Sequence, residues 1–185
     1  TICILNGGHT GLCYFGALGG HQTFDAAMTD PDLRGYFDAW EDDVLAGLGD
    51  HIPFDTRAYL GEVAKRFENK GIADQLARIC MDGYSKMGLY IRPTLDACLA
   101  QGRTPTAGYD CVASWVIYAR KYAAGIAQIP YHEPFWDTLA PMLEKGREDD
   151  IASDPLLWGD LPQRYASFVP DLKAAIQRMD RKWQD

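Results

Sequence analysis

Asn6 and His9 are the first residues in the sequence whose types and spacing could serve chemistry. They lie three positions apart in Leu5-Asn6-Gly7-Gly8-His9, so a helix that begins at the glycine pair would place both side chains on one face. Asparagine offers a hydrogen-bond donor and an acceptor together, and a neutral histidine does the same. A polyhydroxylated substrate needs such paired groups. The alternative is that Asn6 caps the helix and that His9 is an interior histidine with satisfied ring nitrogens.

Three charged residues, Arg78, Asp82 and Lys86, follow one another at intervals of four in an otherwise apolar segment. On one continuous helix they would form a slanted polar line, rotated by about 40° per step. Such a line could be a cationic floor that fixes the hydroxyls or a carboxylate of a substrate. The alternative is an ion-pair ladder that faces water, worth only a few tenths of a kcal/mol per pair.

Other kinds of site are not predicted. The four histidines are far apart, and no His-x-x-x-His or Cys-x-x-Cys pattern occurs, so we expect no metal. No Gly-x-Gly-x-x-Gly motif follows a strand, so these residues do not encode a dinucleotide-binding fold. His132-Glu133 is expected to be a surface pair in a loop.

The composition excludes several classes of protein. A net charge of −8 argues against a nucleic-acid partner, which needs a concentrated basic surface. No apolar run approaches the roughly 18 to 20 residues that cross a bilayer, so we expect no membrane partner. The five cysteines are odd in number and scattered, which predicts reduced thiols in a cytoplasmic protein.

The elements that must position these residues are predicted to be helices. Asp30-Pro31-Asp32 combines a capping residue, a proline suited to the first turn and an acidic residue that favours the helix dipole. The whole pattern predicts a single, mostly α-helical domain of roughly seven to nine helices. The predicted segments are a helix from Asp30 to Leu48, one from Asp55 to Phe67, one from Ile72 to Lys86, a short one between Pro93 and Gly102, a buried one from Cys111 to Ala124, a loop from Gly125 to Pro134, and amphipathic segments at Phe135–Glu144 and Leu161–Met179.

Two segments resemble the C-terminal domain of the mannitol dehydrogenase family of long-chain polyol dehydrogenases. Ile4-Leu5-Asn6-Gly7-Gly8-His9-Thr10 is similar to the family's Lys-x-x-x-x-Asn-x-x-His signature. Ala77 to Lys86, with Pro93-Thr94-Leu95 beyond it, resembles the family's Arg-Ile-x-x-Asp-Gly-Ser-x-Lys region. The similarity extends over nearly the whole chain, and it favours the functional interpretation of both motifs.

The resemblance implies the fold and the partners of the chain. Residues 1–185 would be an all-α, multi-helical single domain resembling the 6-phosphogluconate dehydrogenase C-terminal domain. A Rossmann-type N-terminal domain, absent from this chain, would hold NAD, and substrate would lie between the two domains without any zinc. The apolar opening run Thr1–Leu5, with no initiator methionine, likewise led us to expect a piece of a longer polypeptide.

The implied activity is that of an NAD-dependent polyol dehydrogenase, which interconverts a linear polyol of the mannitol type and a ketose by hydride transfer. Two alternatives remain open. One is a fructuronate or tagaturonate reductase of the same family, and the other is a non-catalytic helical interaction module.

The resemblance also assigns roles to residues. Asn6 matches the family's active-site asparagine, and His9 matches its catalytic histidine, a partner of a substrate hydroxyl. Arg78 and Lys86 match basic residues that bind substrate. Tyr84 is a departure, because a serine is common at that position.

A second departure concerns Thr1, which occupies the position of the family's catalytic lysine. A lysine can serve as a general base because desolvation and nearby charge lower its pKa. Threonine cannot do this. Either threonine is not native to the parent protein at this position or the parent has lost its base, so the chain alone is not expected to turn over substrate.

Overall fold

The computed structural model describes the backbone of residues 2–48 and 55–184, and the side chains within those ranges from Ile4 onward. Thr1, which occupies the position of the family's catalytic lysine, lies outside the described residues. The helices are α1 (Gly7–Leu18), α2 (Phe24–Thr29), α3 (Pro31–Leu48), α4 (Thr56–Phe67), α5 (Leu76–Ile79), α6 (Gly83–Lys86), α7 (Arg92–Ala100), α8 (Thr106–Ala123), α9 (Trp136–Leu139), α10 (Glu148–Ala152), α11 (Pro155–Trp158), α12 (Leu161–Arg164) and α13 (Phe168–Lys182). The other helical segments are two π-helical turns, Ile2–Asn6 and Met87–Ile91, and a 3-10 turn, Ala140–Leu143.

The prediction of an all-α fold is confirmed, since the described ranges contain no strand and only one isolated bridge, between Thr23 and Gln75. The predicted number of helices is wrong, because several segments are broken into single turns. The C-terminal segment, for example, divides into α12 and α13.

Local capping signals mark the beginnings of the first long helices correctly. The carboxylate of Asp30 accepts hydrogen bonds from the backbone N–H groups of Asp32 and Leu33, at 3.0 and 3.4 Å. Asp55 likewise accepts from Ala58 N at 2.9 Å and caps α4. These bonds satisfy donors that a helix leaves free in its first turn.

Helix α8 is the centre of the core. All residues from Ala107 to Ala119 are buried, so the helix has no solvent-exposed face over that stretch. It packs against α1, α3 and α13, and the fully buried indole ring of Trp115 anchors it among them. The buried central helix predicted from the sequence is confirmed.

The predicted third helix, from Ile72 to Lys86, is wrong. It is divided into α5 and α6, and Asp82 between them has a left-handed backbone with φ of 57°. The backbone N–H of Asp82 bonds to the carbonyl of His132 at 3.0 Å, and that of Tyr84 bonds to Glu133 Oε2 at 2.9 Å. Hydrogen bonds to a distant loop thus replace those of a continuous helix.

Glu133 is therefore not a surface residue, although His132 beside it is exposed. The Glu133 side chain is buried, and it also accepts a hydrogen bond from the Tyr131 hydroxyl at 2.8 Å. A buried carboxylate needs such donors, because its desolvation is costly. Glu133 fixes the beginning of α6, and α6 carries Lys86.

Cysteines in the described part of the chain are buried free thiols, at Cys13, Cys80, Cys98 and Cys111. The side chain of Cys3 lies outside that part. Over the same ranges, no helix combines the length and the apolar character that a membrane span requires.

Candidate functional site

A pocket of about 400 Å³ opens where α1 begins, next to the end of α4 and the broken segment α5–α6. All four residues that the sequence predicted for the site line it: Asn6, His9, Arg78 and Lys86. Two motifs some seventy residues apart in the chain are thus brought to one cavity.

Asn6 reaches the pocket because the π-helical turn before it continues directly into α1. The residue has helical backbone angles, and its side chain makes no capping hydrogen bond. The capping alternative is therefore wrong. Within the described ranges the Asn6 amide has no hydrogen-bond partner, so both its donor and its acceptor are available to a ligand.

The glycine pair after Asn6 allows α1 to pack tightly on neighbouring rings. A Cβ atom at Gly7 would lie 3.0 Å from Trp40 Cζ2, and one at Gly8 would lie 3.1 Å from Phe67 Cε2. Real Cβ atoms rarely approach so closely. The glycines thus bring the first turn of α1, with Asn6 and His9, against α3 and α4.

The His9 ring lies between two phenylalanines, with centroid distances of 4.9 Å to Phe24 and 4.2 Å to Phe67. Its Nε2 atom is enclosed and lacks a hydrogen-bond partner among the described residues, and the nearest carboxylate oxygen, Asp74 Oδ2, is 3.6 Å away. His9 is therefore not an interior histidine with satisfied nitrogens.

Burial lowers the pKa of His9 to about 4, and the nearby Arg78 adds to this effect, although the Asp74 carboxylate opposes it. The imidazole is consequently neutral at pH 7. A neutral imidazole has one nitrogen that donates and one that accepts, as binding of a hydroxyl group requires.

Arg78 and Lys86 enter the pocket separately, not along one helix face. Arg78 NH2 bonds to Asp74 Oδ1 at 2.5 Å, so its partner is Asp74 and not Asp82 as a ladder would require. Lys86 Nζ donates to the carbonyl of Ile79 at 2.8 Å. Over residues 2–48 and 55–184, no carboxylate forms an ion pair with Lys86. Its charge is thus free to meet a polar ligand.

Four further polar residues line the pocket that the sequence did not single out as site residues: Thr10, Arg66, Asp74 and Tyr90. Asp74 lies four positions before Arg78, a spacing typical of ion pairs, and could have been found on that ground. Arg66 and Tyr90 carry no local signal, because only the fold brings them to the cavity.

The pocket as a whole combines three cations, Arg66, Arg78 and Lys86, with one carboxylate, Asp74. Asn6 and the Tyr90 hydroxyl add polar groups without protein partners in the described ranges, and the His9 ring lines the pocket beside them. Polar groups of this kind, converging on a small cavity, suit a hydroxylated or anionic small molecule.

A second cavity, of about 420 Å³, lies between α3 and the beginning of α8 and is acidic. Its buried carboxylates already have partners. Asp43 accepts from Arg103 at 3.1 Å and from Gly108 N at 3.0 Å, and Asp110 pairs with Arg178. None of the residues predicted for the site lines this cavity.

The lowered pKa of His9 predicts how stability depends on pH. Between about pH 4 and the ordinary histidine value of 6.5, the unfolded chain binds a proton on His9 that the folded chain does not. The free energy of unfolding should therefore rise with pH across this window, by at most about 3 kcal/mol from this group.

Urea unfolding of the wild type and of His9→Gln at pH 4, 5, 6 and 7 measures this contribution. The free energy of unfolding of the wild type, minus that of His9→Gln, should increase as pH rises. Parallel curves for the two proteins would show that His9 is not buried as the structure has it.

Tyr84, where the family commonly has serine, does not contribute to the pocket. Its ring stacks on Phe135 at 5.3 Å, and its hydroxyl donates to Asp154 Oδ2 at 2.6 Å. Burial, reinforced by the Asp154 carboxylate, raises the pKa of Tyr84 above its ordinary value. The tyrosine thus fixes α6 to the region of α11.

Tyr84→Phe is expected to lower the free energy of unfolding by about 1 to 3 kcal/mol, because it leaves a buried carboxylate oxygen without its donor. Kinetic constants of the complete Thr1→Lys enzyme proposed below should not change, since the hydroxyl bonds to Asp154 and neither residue lines the pocket. Chemical denaturation and steady-state kinetics on the same preparation check both statements. Unchanged stability combined with altered KM would place the hydroxyl in the substrate site.

Comparisons with known proteins identify the family of the chain. The family model described as the mannitol dehydrogenase C-terminal domain matches residues 1–180. D-arabinitol 4-dehydrogenase of Ralstonia nicotianae is 32% identical over 97% of this chain and 39% of its own length. Mannitol 2-dehydrogenase of Cereibacter sphaeroides is 29% identical over 100% of this chain and 38% of its own length.

A solved structure is also similar. The Pseudomonas fluorescens mannitol 2-dehydrogenase, in a ternary complex with NAD and D-mannitol, superposes with a TM-score of 0.82 at 28% identity, covering 95% of this chain and 36% of that protein. The chain spans well under half the length of each of these relatives. It belongs to the mannitol dehydrogenase C-terminal domain family, and the relatives named above are polyol dehydrogenases.

Proposed function

We propose that this chain is the substrate-side part of an NAD-dependent polyol dehydrogenase that interconverts a linear polyol of the mannitol type and a ketose. The observation that carries the proposal is the convergence of Asn6, His9, Arg78 and Lys86 on one pocket of about 400 Å³. The relative solved with NAD and D-mannitol supports the choice of substrate and cofactor.

The cofactor would be held mainly outside residues 1–185. NAD supplies the group that accepts or returns the hydride. The described ranges contain no strand followed by a glycine-rich turn and a helix, the arrangement that usually cradles a dinucleotide. The cationic and amide groups of the pocket instead fit a small hydroxylated molecule. A nucleotide-binding domain that precedes this one in a longer protein would complete the site.

Each of the four predicted pocket residues has a proposed role in binding substrate. The Asn6 amide orients the reacting oxygen, and His9, neutral at pH 7, hydrogen-bonds a neighbouring hydroxyl. Arg78 and Lys86 donate to hydroxyls further along the chain of the polyol. The proton of the reacting hydroxyl would pass to a lysine at position 1 of a competent enzyme, so the Thr1 chain would bind substrate without turning it over.

A sugar acid is the second candidate substrate, as for a uronate reductase of the same family. The observation in its favour is the surplus of cations, because Arg66 and Lys86 have no ion-pair partner in the described part of the chain. A carboxylate could bind there.

The cytoplasmic location expected from the cysteines stays a prediction.

An activity measurement tests the proposal. The chain, joined to its native nucleotide-binding domain and carrying Thr1→Lys, should oxidise NADH with fructose faster than with fructuronate. The same protein with Thr1 retained is the matched control and should be inactive. Faster turnover of fructuronate would favour the uronate reductase. No turnover of any ketose or keto acid, by a protein that binds NADH, would contradict the proposed function.

A further inference from the structure

Asp74 occupies a segment that backbone contacts hold firmly in place. Its carbonyl accepts a hydrogen bond from Phe24 N at 2.9 Å, and the N–H of Leu76 bonds to the carbonyl of Gln22 at 3.0 Å. Ala73, just before it, has a left-handed backbone with φ of 44°, which a non-glycine residue adopts only when its surroundings impose it. The position of the Asp74 main chain therefore does not depend on its carboxylate.

The carboxylate itself lies between two residues assigned to the substrate site. Oδ1 bonds to Arg78 NH2 at 2.5 Å, and Oδ2 is 3.6 Å from His9 Nε2. The second distance is slightly longer than a hydrogen bond. A cavity of about 10 Å³ adjoins both side chains, close to the volume that one water molecule needs.

His9 has two ring nitrogens, and only Nε2 is enclosed without a partner. Asp74 is also the sole carboxylate among the described residues that line the pocket. A carboxylate facing one nitrogen of a neutral imidazole favours the tautomer with its proton on that nitrogen. The other nitrogen, Nδ1, then becomes an acceptor.

We propose that Asp74 is a positioning residue of the polyol site, which keeps the His9 proton on Nε2, leaves Nδ1 to accept a substrate hydroxyl, and holds Arg78 in the pocket wall. This inference rests on the proposed function. It adds a residue that acts through His9 and Arg78 and does not itself touch the substrate.

The first test observes the tautomer without any catalysis. In ¹⁵N spectra of the 185-residue chain at pH 7, His9 should carry its proton on Nε2. In Asp74→Asn, the amide can either donate or accept, so neither tautomer is favoured. The ¹⁵N chemical shifts of the two His9 ring nitrogens should therefore move toward values between those of a protonated and an unprotonated nitrogen. Asp74→Glu keeps the charge and should restore the wild-type spectrum.

A matched control is available on the surface of α3. Asp38 also pairs with an arginine four positions away, Arg34, at 2.7 Å, but neither residue lines the pocket. Asp38→Asn should leave the His9 spectrum unchanged. A wild-type His9 with its proton on Nδ1 would overturn the proposal, as would identical His9 spectra in the wild type and Asp74→Asn. The wild-type spectrum decides even if the variants fail to fold.

Kinetics of the enzyme that has its nucleotide-binding domain and carries Thr1→Lys give the second test. Asp74→Asn should lower kcat/KM for the polyol by about 10²-fold, as expected when a reacting geometry is displaced, and Asp74→Glu should recover most of it. Full activity in Asp74→Asn would overturn the positioning role while the proposed function stands. Absence of polyol turnover in the Thr1→Lys enzyme that carries no further substitution would instead count against the proposed function and leave the tautomer result intact.

Discussion

In the complete enzyme carrying Thr1→Lys, Asn6→Ala is expected to lower kcat/KM by about 10²- to 10³-fold, the usual effect of removing one donor that faces a reacting oxygen. The Asn6 amide lines the pocket and makes no capping hydrogen bond. Its loss should therefore leave the thermal unfolding temperature unchanged, because no side chain or backbone group in the described ranges forms a hydrogen bond with this amide. Steady-state kinetics and a thermal melt of the same variant check both statements.

The capping interpretation of Asn6 predicts the opposite result. Removal of an asparagine cap costs about 1 kcal/mol, which lowers the unfolding temperature of a domain of this size by about 2 to 4 °C. A variant that melts earlier and turns over substrate normally would remove Asn6 from the site. Asp38→Asn, a surface change on α3, serves as the control for nonspecific effects on kinetics.

Gly83→Ala is expected to have the largest effect on stability. A Cβ atom at this position would lie 2.3 Å from Trp115 Nε1 and 2.6 Å from the Tyr14 hydroxyl. Neither group can move freely, because Trp115 Nε1 donates to the Tyr131 hydroxyl at 2.9 Å and Tyr14 donates to the carbonyl of Cys80 at 2.8 Å. Overpacking combined with a lost buried hydrogen bond should cost about 2 to 4 kcal/mol.

Gly61→Ala is the matched control for this variant. Gly61 lies within α4, and a Cβ atom there would meet nothing within 4 Å. Alanine should stabilise that helix by about 0.5 to 1 kcal/mol. Urea unfolding should therefore give a lower free energy of unfolding for Gly83→Ala than for the wild type, and a higher one for Gly61→Ala. A Gly83→Ala protein as stable as the wild type would contradict the packing described around the beginning of α6.

Elements that depend on local signals could be predicted from the sequence. Helix α3 is an example, because Asp30 and Pro31 define its beginning and a stripe of buried residues, among them Leu33, Phe37 and Trp40, defines its inner face. The buried helix α8 is another, because an apolar run without a polar face leaves only burial among other helices.

Features that depend on distant contacts could not be predicted. The break at Asp82 arises from hydrogen bonds to His132 and Glu133, about fifty residues away, so periodicity indicated one continuous helix. The contact between His9 and Asp74 likewise joins residues far apart in the chain. Neither partner shows any sign of the other in its local sequence.

The candidate site was predicted in part, and through family resemblance more than through residue chemistry. Taken alone, the residue types and spacing of Asn6 and His9 favour a helix cap and an interior histidine over a substrate site. The prediction that Arg78, Asp82 and Lys86 form a polar line on one helix face was wrong, because the helix is divided, although Arg78 and Lys86 both line the pocket. Arg66 and Tyr90 complete the pocket only through the tertiary fold.

A crystal structure of the complete enzyme with NAD and D-mannitol tests the central claim most directly. We expect mannitol in the pocket at the beginning of α1, with its oxygens within about 2.7 to 3.2 Å of the Asn6 amide, His9 Nδ1 and Lys86 Nζ. Mannitol bound instead in the acidic cavity between α3 and α8, or bound away from all three of these groups, would contradict the account.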